Sequence, residues 1–312
     1  MYDTFEVRDT MRKIKKHTMH ESERIKRFVH GGIVVFFCLL LLPVNVFAAK
    51  AIDVFVSIAP QKFLLDRIGA DHVKPHVLIG EGKSPHLFHP STRQLVALSK
   101  ATLLFAIDME FERILIAKLP QSMTSLQVIN SVQGIKKIAL PGHHEHDSHV
   151  GLDPHVWLSP PNLIQMAATM AAALGEKDPE NAAVYTANLQ ELTAELETVD
   201  QKIQKELAPF AGASFYVFHP SFGYFARRYK LHQESVEIEG KAPTPKQLSR
   251  LIVKARKDNV KVIFVQDQFD PRTAKTVAQA IGGEVLPLNP LAENVMENLQ
   301  KMAASIRSAL SR

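Results

Sequence analysis

From residue 53 onward the chain alternates short apolar runs with longer stretches in which apolar positions are spaced. Residues 54–58, 76–79 and 103–107 are the runs; residues 60–68 and 91–98 are the spaced stretches between them. Short, nearly continuous apolar runs suit strands buried on both faces, and the spaced stretches suit helices lying over them, so the pattern predicts a parallel sheet. The alternation returns in the second half, with runs at 214–218, 233–236, 262–265 and 285–288 and helical stretches at 222–229, 244–257, 271–281 and 292–310. Residues 178–207, between the halves, are rich in Ala, Glu, Leu, Gln and Lys and contain no Gly; their only proline, Pro179, falls in the first turn, where it is tolerated. They read as a single helix of ~45 Å at ~1.5 Å per residue, or as two helices with a bend near Thr198. The expected fold is α/β: two Rossmann-like lobes with parallel sheets, 49–177 and 208–312, joined by one long linker helix, 178–207.

The first 48 residues have a different grammar. Arg24, Lys26 and Arg27 precede an uncharged apolar run at 33–42, and Val46-Phe47-Ala48 gives a small-x-small pattern. That order is expected of a secretory signal peptide over 1–48, with the mature chain starting near Ala49 and the true start codon downstream of Met1. The run is shorter than the ~20 residues a membrane-spanning helix needs, so no stable membrane insertion is expected after cleavage, an uncleaved anchor being the other reading. Cys38, the single cysteine, follows Val35-Phe36-Phe37 rather than the small residues of a lipoprotein signal. The mature chain then has no thiol for a disulfide, for catalysis or for a metal, and His, Asp and Glu remain as metal ligands. Of 37 Lys+Arg and 32 Asp+Glu, 29 and 27 lie beyond residue 48. A nearly balanced chain without a basic stripe offers nucleic acid no footprint.

Three of the 14 histidines occupy turns beside strand ends or helix starts. His86 lies in the Gly/Pro loop of residues 80–90, ahead of a helix capped by Ser91 or Thr92. His155 lies in Asp153-Pro154-His155-Val156-Trp157, ahead of a helix introduced by Pro160 and Pro161. His219 follows the apolar run at 215–218 and precedes Pro220. Ligands of open α/β sheets bind at the carboxyl ends of strands. Each histidine alone is as readily a surface or hydrogen-bonded residue; three in comparable places make a candidate tetrahedral metal site. A second tract, His143-His144-Glu145-His146-Asp147-Ser148-His149, has no spacing that fixes a geometry. It is either a solvated polar loop or an auxiliary collector of divalent metal.

The motifs Ser84-Pro85-His86-Leu87-Phe88, Asp153-Pro154-His155-Val156-Trp157-Leu158, Phe218-His219-Pro220-Ser221-Phe222-Gly223-Tyr224-Phe225 and Ile238-Glu239-Gly240-Lys241-Ala242-Pro243-Thr244-Pro245 come in the order and contexts of a known family. From about residue 53 to 310 the chain resembles the zinc/manganese substrate-binding proteins of bacterial ABC importers, in the cluster whose lobes are joined by a rigid helix. The resemblance implies that His86, His155 and His219 are the metal ligands and that the tract with His143, His144, His146 and His149 is the His-rich loop of the zinc-specific branch. It also implies a periplasmic monomer that hands Zn²⁺ to a permease driven by an ATPase. Two positions depart from the family pattern. Gln266 stands where many relatives carry an acid, and Asn289 stands at the usual fourth, carboxylate ligand. Asn289, His89, water or the His-rich tract then completes the site. Three imidazoles and an amide leave Zn²⁺ at +2, so Asn289→Asp is expected to tighten binding.

Imidazole suits Zn²⁺, whereas Mn²⁺ prefers carboxylate oxygen. Affinity is expected to fall below about pH 6 as imidazoles with an ordinary pKa of about 6.5 protonate. The rival readings are a manganese or other divalent-metal receptor or adhesin, and a secreted zinc hydrolase with Asp153 or Glu239 as base. The hydrolase lacks the usual His-Glu-x-x-His and Gly-x-Ser-x-Gly signatures.

Overall fold

A computed structural model describes residues 51–80, 82–119, 125–140, 151–237 and 243–312, together with Met11, Arg12, Lys15, Lys16 and Met19. Contacts divide the chain into a leading unit, Met1–Ala49, and a main body, Lys50–Arg312. In the leading unit the five described positions are helical and exposed; the apolar run and cleavage pattern lie outside the described residues.

The main body holds two four-stranded sheets. The first has the order β2-β1-β3-β4, built from β1 (Ile52–Val56), β2 (Val73–Val77), β3 (Leu103–Ala106) and β4 (Gln127–Asn130). The second repeats that order as β6-β5-β7-β8, with β5 (Ser214–Val217), β6 (His232–Ser235), β7 (Val262–Val265) and β8 (Glu284–Pro287). All pairings are parallel, with Val54 opposite Leu103 and Val217 opposite Phe264. The inner strands β3 and β7 are buried at every position, which is why they read as unbroken apolar runs. Pro75 is tolerated because β2 is an edge strand.

In the first lobe the sheet is covered by α1 (Ala59–Gly69), α2 (Thr92–Leu98), α3 (Glu110–Ala117) and α4 (Pro160–Lys177). The helices α6 (Gly223–Arg228), α7 (Pro245–Lys257), α8 (Arg272–Ile281) and α9 (Val295–Leu310) accompany the second sheet. Ser91 caps α2, its hydroxyl accepting from Gln94 N–H at 3.3 Å, and Thr244 caps α7 in the same way. Two elements go beyond the sequence pattern. Helix α3 is only 8 residues long, and β4 mixes polar and apolar residues on a half-exposed edge. Neither has a periodicity long enough to read.

Between the lobes α5 (Ala182–Leu207) runs for 26 residues, with a single 3-10 turn at each end. It continues through Thr198, whose hydroxyl donates back to Ala194 O at 2.8 Å, so the reading with a bend there is overturned. Tyr185, Leu192, Leu196, Val199, Ile203 and Leu207 form its buried stripe. On the first lobe Arg67 of α1 makes a two-pronged pair with Glu195, both contacts 2.7 Å. On the second, buried Asp200 accepts from Arg228 and from the Tyr229 hydroxyl. One hydrophobic cluster runs from Val54 in β1 through α5 to Ile306 in α9. The core therefore does not part between the lobes. A smaller cluster lies beneath α7 and α8.

Candidate metal centre

The three histidines singled out above come together. His86 sits in a single 3-10 turn, Pro85–Leu87, in the loop after β2; His155 immediately precedes the 3-10 turn Val156–Leu158; His219 leaves the end of β5. Their ring centroids are 4.9 Å (His86 to His219), 5.3 Å (His155 to His219) and 5.7 Å (His86 to His155) apart. One potential ligand atom from each lies within 4.8 Å of the other two. Tetrahedral ligands at ~2.0–2.1 Å from a zinc ion are about 3.4 Å from one another, so a shift of about 1.4 Å or less at each contact makes a binding set. The rings border a cavity of about 20 Å³, the size of one ion or one water.

Two of the rings are oriented by carboxylates. His155 Nδ1 donates to Asp153 Oδ1 at 2.7 Å, and the same oxygen accepts the His155 backbone N–H at 2.9 Å. His219 Nδ1 donates to Glu237 Oε2 at 2.6 Å. A carboxylate only accepts, so each ring carries its proton on Nδ1 and presents the Nε2 lone pair. His219 Nε2 is buried and has no hydrogen-bond partner. An unpaired buried acceptor is costly, and a metal ion is the partner this geometry fits. His86 has no carboxylate partner among the described residues.

Asp153 is 1 % exposed, and Gly223 makes room for it: a Cβ there would come 2.6 Å from Asp153 Oδ2. Its carboxylate orients the His155 ring. Gln266 is an amide clamp: Nε2 donates to His219 O at 2.7 Å and Oε1 accepts His219 N–H at 3.3 Å. A carboxylate could not do both. Phe269 stacks on the His219 ring, with centroids 4.8 Å apart. Across the lobes, Trp157 Nε1 donates to Pro290 O at 2.8 Å and the Tyr224 hydroxyl donates to Asp153 O at 2.9 Å.

Asn289 is not among the residues that border the cavity of the three rings. Its Oδ1 accepts Leu291 N–H at 2.8 Å, and the residue lines a neighbouring cavity of about 220 Å³. The Asn-Pro-Leu turn draws the amide back onto its own backbone. His89 is exposed. His143, His144, His146 and His149 of the His-rich tract, and Glu239, lie outside the described residues. The residues that sequence reading missed are the orienting carboxylates: Glu237 is 18 positions from the histidine it holds.

Loss of hydration pushes the His86 imidazole down to about 3, helped by repulsion from His155 and His219. His86 itself remains exposed on one side, while its ring stands edge-on against the other two. His219 is also lowered, by burial first, with Glu237 opposing. Both shifts favour the neutral imidazole, the form that can ligate.

Two parallel α/β sheets around a rigid helix, with three convergent imidazoles where the lobes meet, define a two-lobed metal-binding receptor. A family model described as the periplasmic component A of zinc-uptake complexes matches residues 54–311, and the chain belongs to that family. It is a periplasmic zinc-binding receptor for an ABC importer. Among solved structures, one described as ZnuA is 37% identical with a TM-score of 0.78, covering 83% of this chain and 99% of its own. A ZnuA deletion mutant with zinc bound is 38% identical, also at 0.78, covering 84% and 99%. A putative metal-binding protein of Treponema pallidum is 27% identical over 273 residues, 84% of this chain and 86% of the relative. The zinc-binding protein AdcA of Streptococcus pyogenes is 28% identical over 235 residues, 69% of this chain and 45% of AdcA.

Proposed function

We propose that His86, His155 and His219 hold one Zn²⁺, with water as the fourth ligand, and that the mature chain, freed of residues 1–48, carries this ion through the periplasm as a monomer to the importer's permease and ATPase. The observation that carries the ligand assignment is the orphaned Nε2 of His219, held towards the other two rings by Glu237. The solved structure of a ZnuA mutant with zinc bound supports the choice of metal, as does the softness of an all-imidazole set. The 20 Å³ cavity has room for the ion and little else, which favours water over a further side chain.

Charge balance favours the same site. Asp153 and Glu237 each place a negative charge against a ligand ring, so Zn²⁺ with three neutral imidazoles and two carboxylates is neutral as a unit. The +2 inferred from sequence counted ligands alone. Both carboxylates are engaged with imidazole Nδ1 atoms, so neither is free to act as the base a zinc hydrolase needs. X-ray absorption of the zinc-loaded mature chain tests the ligand set. Three imidazole nitrogens and one oxygen at ~2.0–2.1 Å are expected; a shell of four imidazoles would move the ion to the His-rich tract or to His89.

A further inference from the structure

A separate cavity of about 300 Å³ opens where α4 begins and α6 passes, lined by Lys136, Ile138, Ser159, Asn162, Tyr224 and Arg227. No acidic residue lines it. Lys136 and Arg227 are exposed, and neither has a carboxylate partner among the described residues. Arg228, also on its wall, is already held by Asp200. Two cations lining one concave surface without an acid make its potential positive, which favours an anion there.

Ser159 supplies an independent observation. It is 6 % exposed and occupies the N-cap of α4, yet its side chain does not cap the helix and has no hydrogen bond among the described residues. The residue is almost wholly covered and belongs to the cavity wall, so the hydroxyl that neither caps the helix nor bonds elsewhere among the described residues is available to a group in the cavity. The 18-residue α4 adds the positive end of its dipole. Pro160 and Pro161 occupy its first two positions and carry no N–H, so an anion here is held mainly by side chains.

We propose that this cavity binds a small doubly charged oxyanion of the sulfate and phosphate class, between Lys136 and Arg227 and against the Ser159 hydroxyl. Tyr224 links it to the zinc site. Its hydroxyl accepts Ile138 N–H at 3.2 Å and donates to the carbonyl of Asp153, whose carboxylate orients His155. The phenol stays protonated, because burial pushes it up to about 12.

Sodium sulfate and sodium chloride, compared at equal ionic strength on the metal-free mature chain, test the site through thermal midpoint and amide chemical shifts. Sulfate is expected to give a saturable rise in midpoint that chloride does not, with shifts at the start of α4. Lys136→Gln and Arg227→Gln should each weaken that effect about tenfold or more, the size expected for losing one charge-assisted contact, and Ser159→Ala should weaken it less. An unchanged cooperative transition in chloride shows that each variant folds; Lys136, exposed in a loop, carries the test if Arg227→Gln does not. The proposal fails if sulfate and chloride act alike, or if saturable sulfate binding survives the double Lys136→Gln, Arg227→Gln change.

Discussion

Glu237 decides more of the chemistry than its place in the sequence suggests. It fixes the tautomer of His219 and would supply half of the negative charge offsetting an ion held there. Orienting partners of metal-ligating histidines commonly contribute about 10- to 100-fold in affinity, so Glu237→Gln should weaken zinc binding by that range while leaving one site per chain, as read by chelator competition. Asn289→Asp should leave affinity unchanged, because that side chain closes a turn on Leu291 and faces another cavity. A tightening of tenfold or more would place residue 289 at the metal. The pH profile follows from the lowered rings. Three ordinary imidazoles of pKa about 6.5 would lose about a thousandfold in affinity between about pH 7.5 and about pH 5.5, being mostly protonated at the lower value. With His86 near 3 and His219 also lowered, the proton is a weak competitor at two of the three ligands. The loss over that interval should be clearly smaller than a thousandfold, and a thousandfold loss would mean the rings titrate as if in water. The sequence alone supplies only the ordinary imidazole range, because desolvation belongs to the fold.

At the level of elements, legibility followed burial. The inner strands β3 and β7 and the long α5 stood out because each is defined by its own residues: apolar runs enclosed on both faces, or an uninterrupted stretch of helix formers. The cleft histidines were visible for a similar reason, since each sits in a Pro-bearing turn next to a strand or helix end. The short α3 and the half-polar edge strand β4 were not. Nor were the pairings of Asp153 and Glu237, which depend on where separate turns land in space; nothing in the sequence around residue 237 announces a partner at 219. The stripe of α5 makes its own prediction. Leu196 is fully buried against the cluster that both lobes share. Leu196→Ala should cost about 2–5 kcal/mol, the range for emptying a packed leucine site. Denaturant unfolding should remain a single transition with reduced stability, and zinc stoichiometry should be kept. Two separated transitions would show that the lobes unfold independently.

For the whole molecule, the shared core and the helix anchored at Arg67–Glu195 and Asp200–Arg228 make a stiff frame, and the metal site lies where both lobes contribute to it. His86 and His155 come from one lobe, His219 from the other, and Trp157 and Tyr224 tie the lobes together beside them. Such a frame brings ligands close before the metal arrives, which suits capture of a scarce ion. The central claim is that one tight Zn²⁺ binds at these three histidines. Competition between the mature chain and a chromophoric zinc chelator tests it directly, set beside a variant with His86, His155 and His219 all changed to alanine. One tight zinc per wild-type chain, absent from the variant, is the predicted result. Weak, multiple binding that survives the triple change would contradict it and place the metal on the tract of His143, His144, His146 and His149.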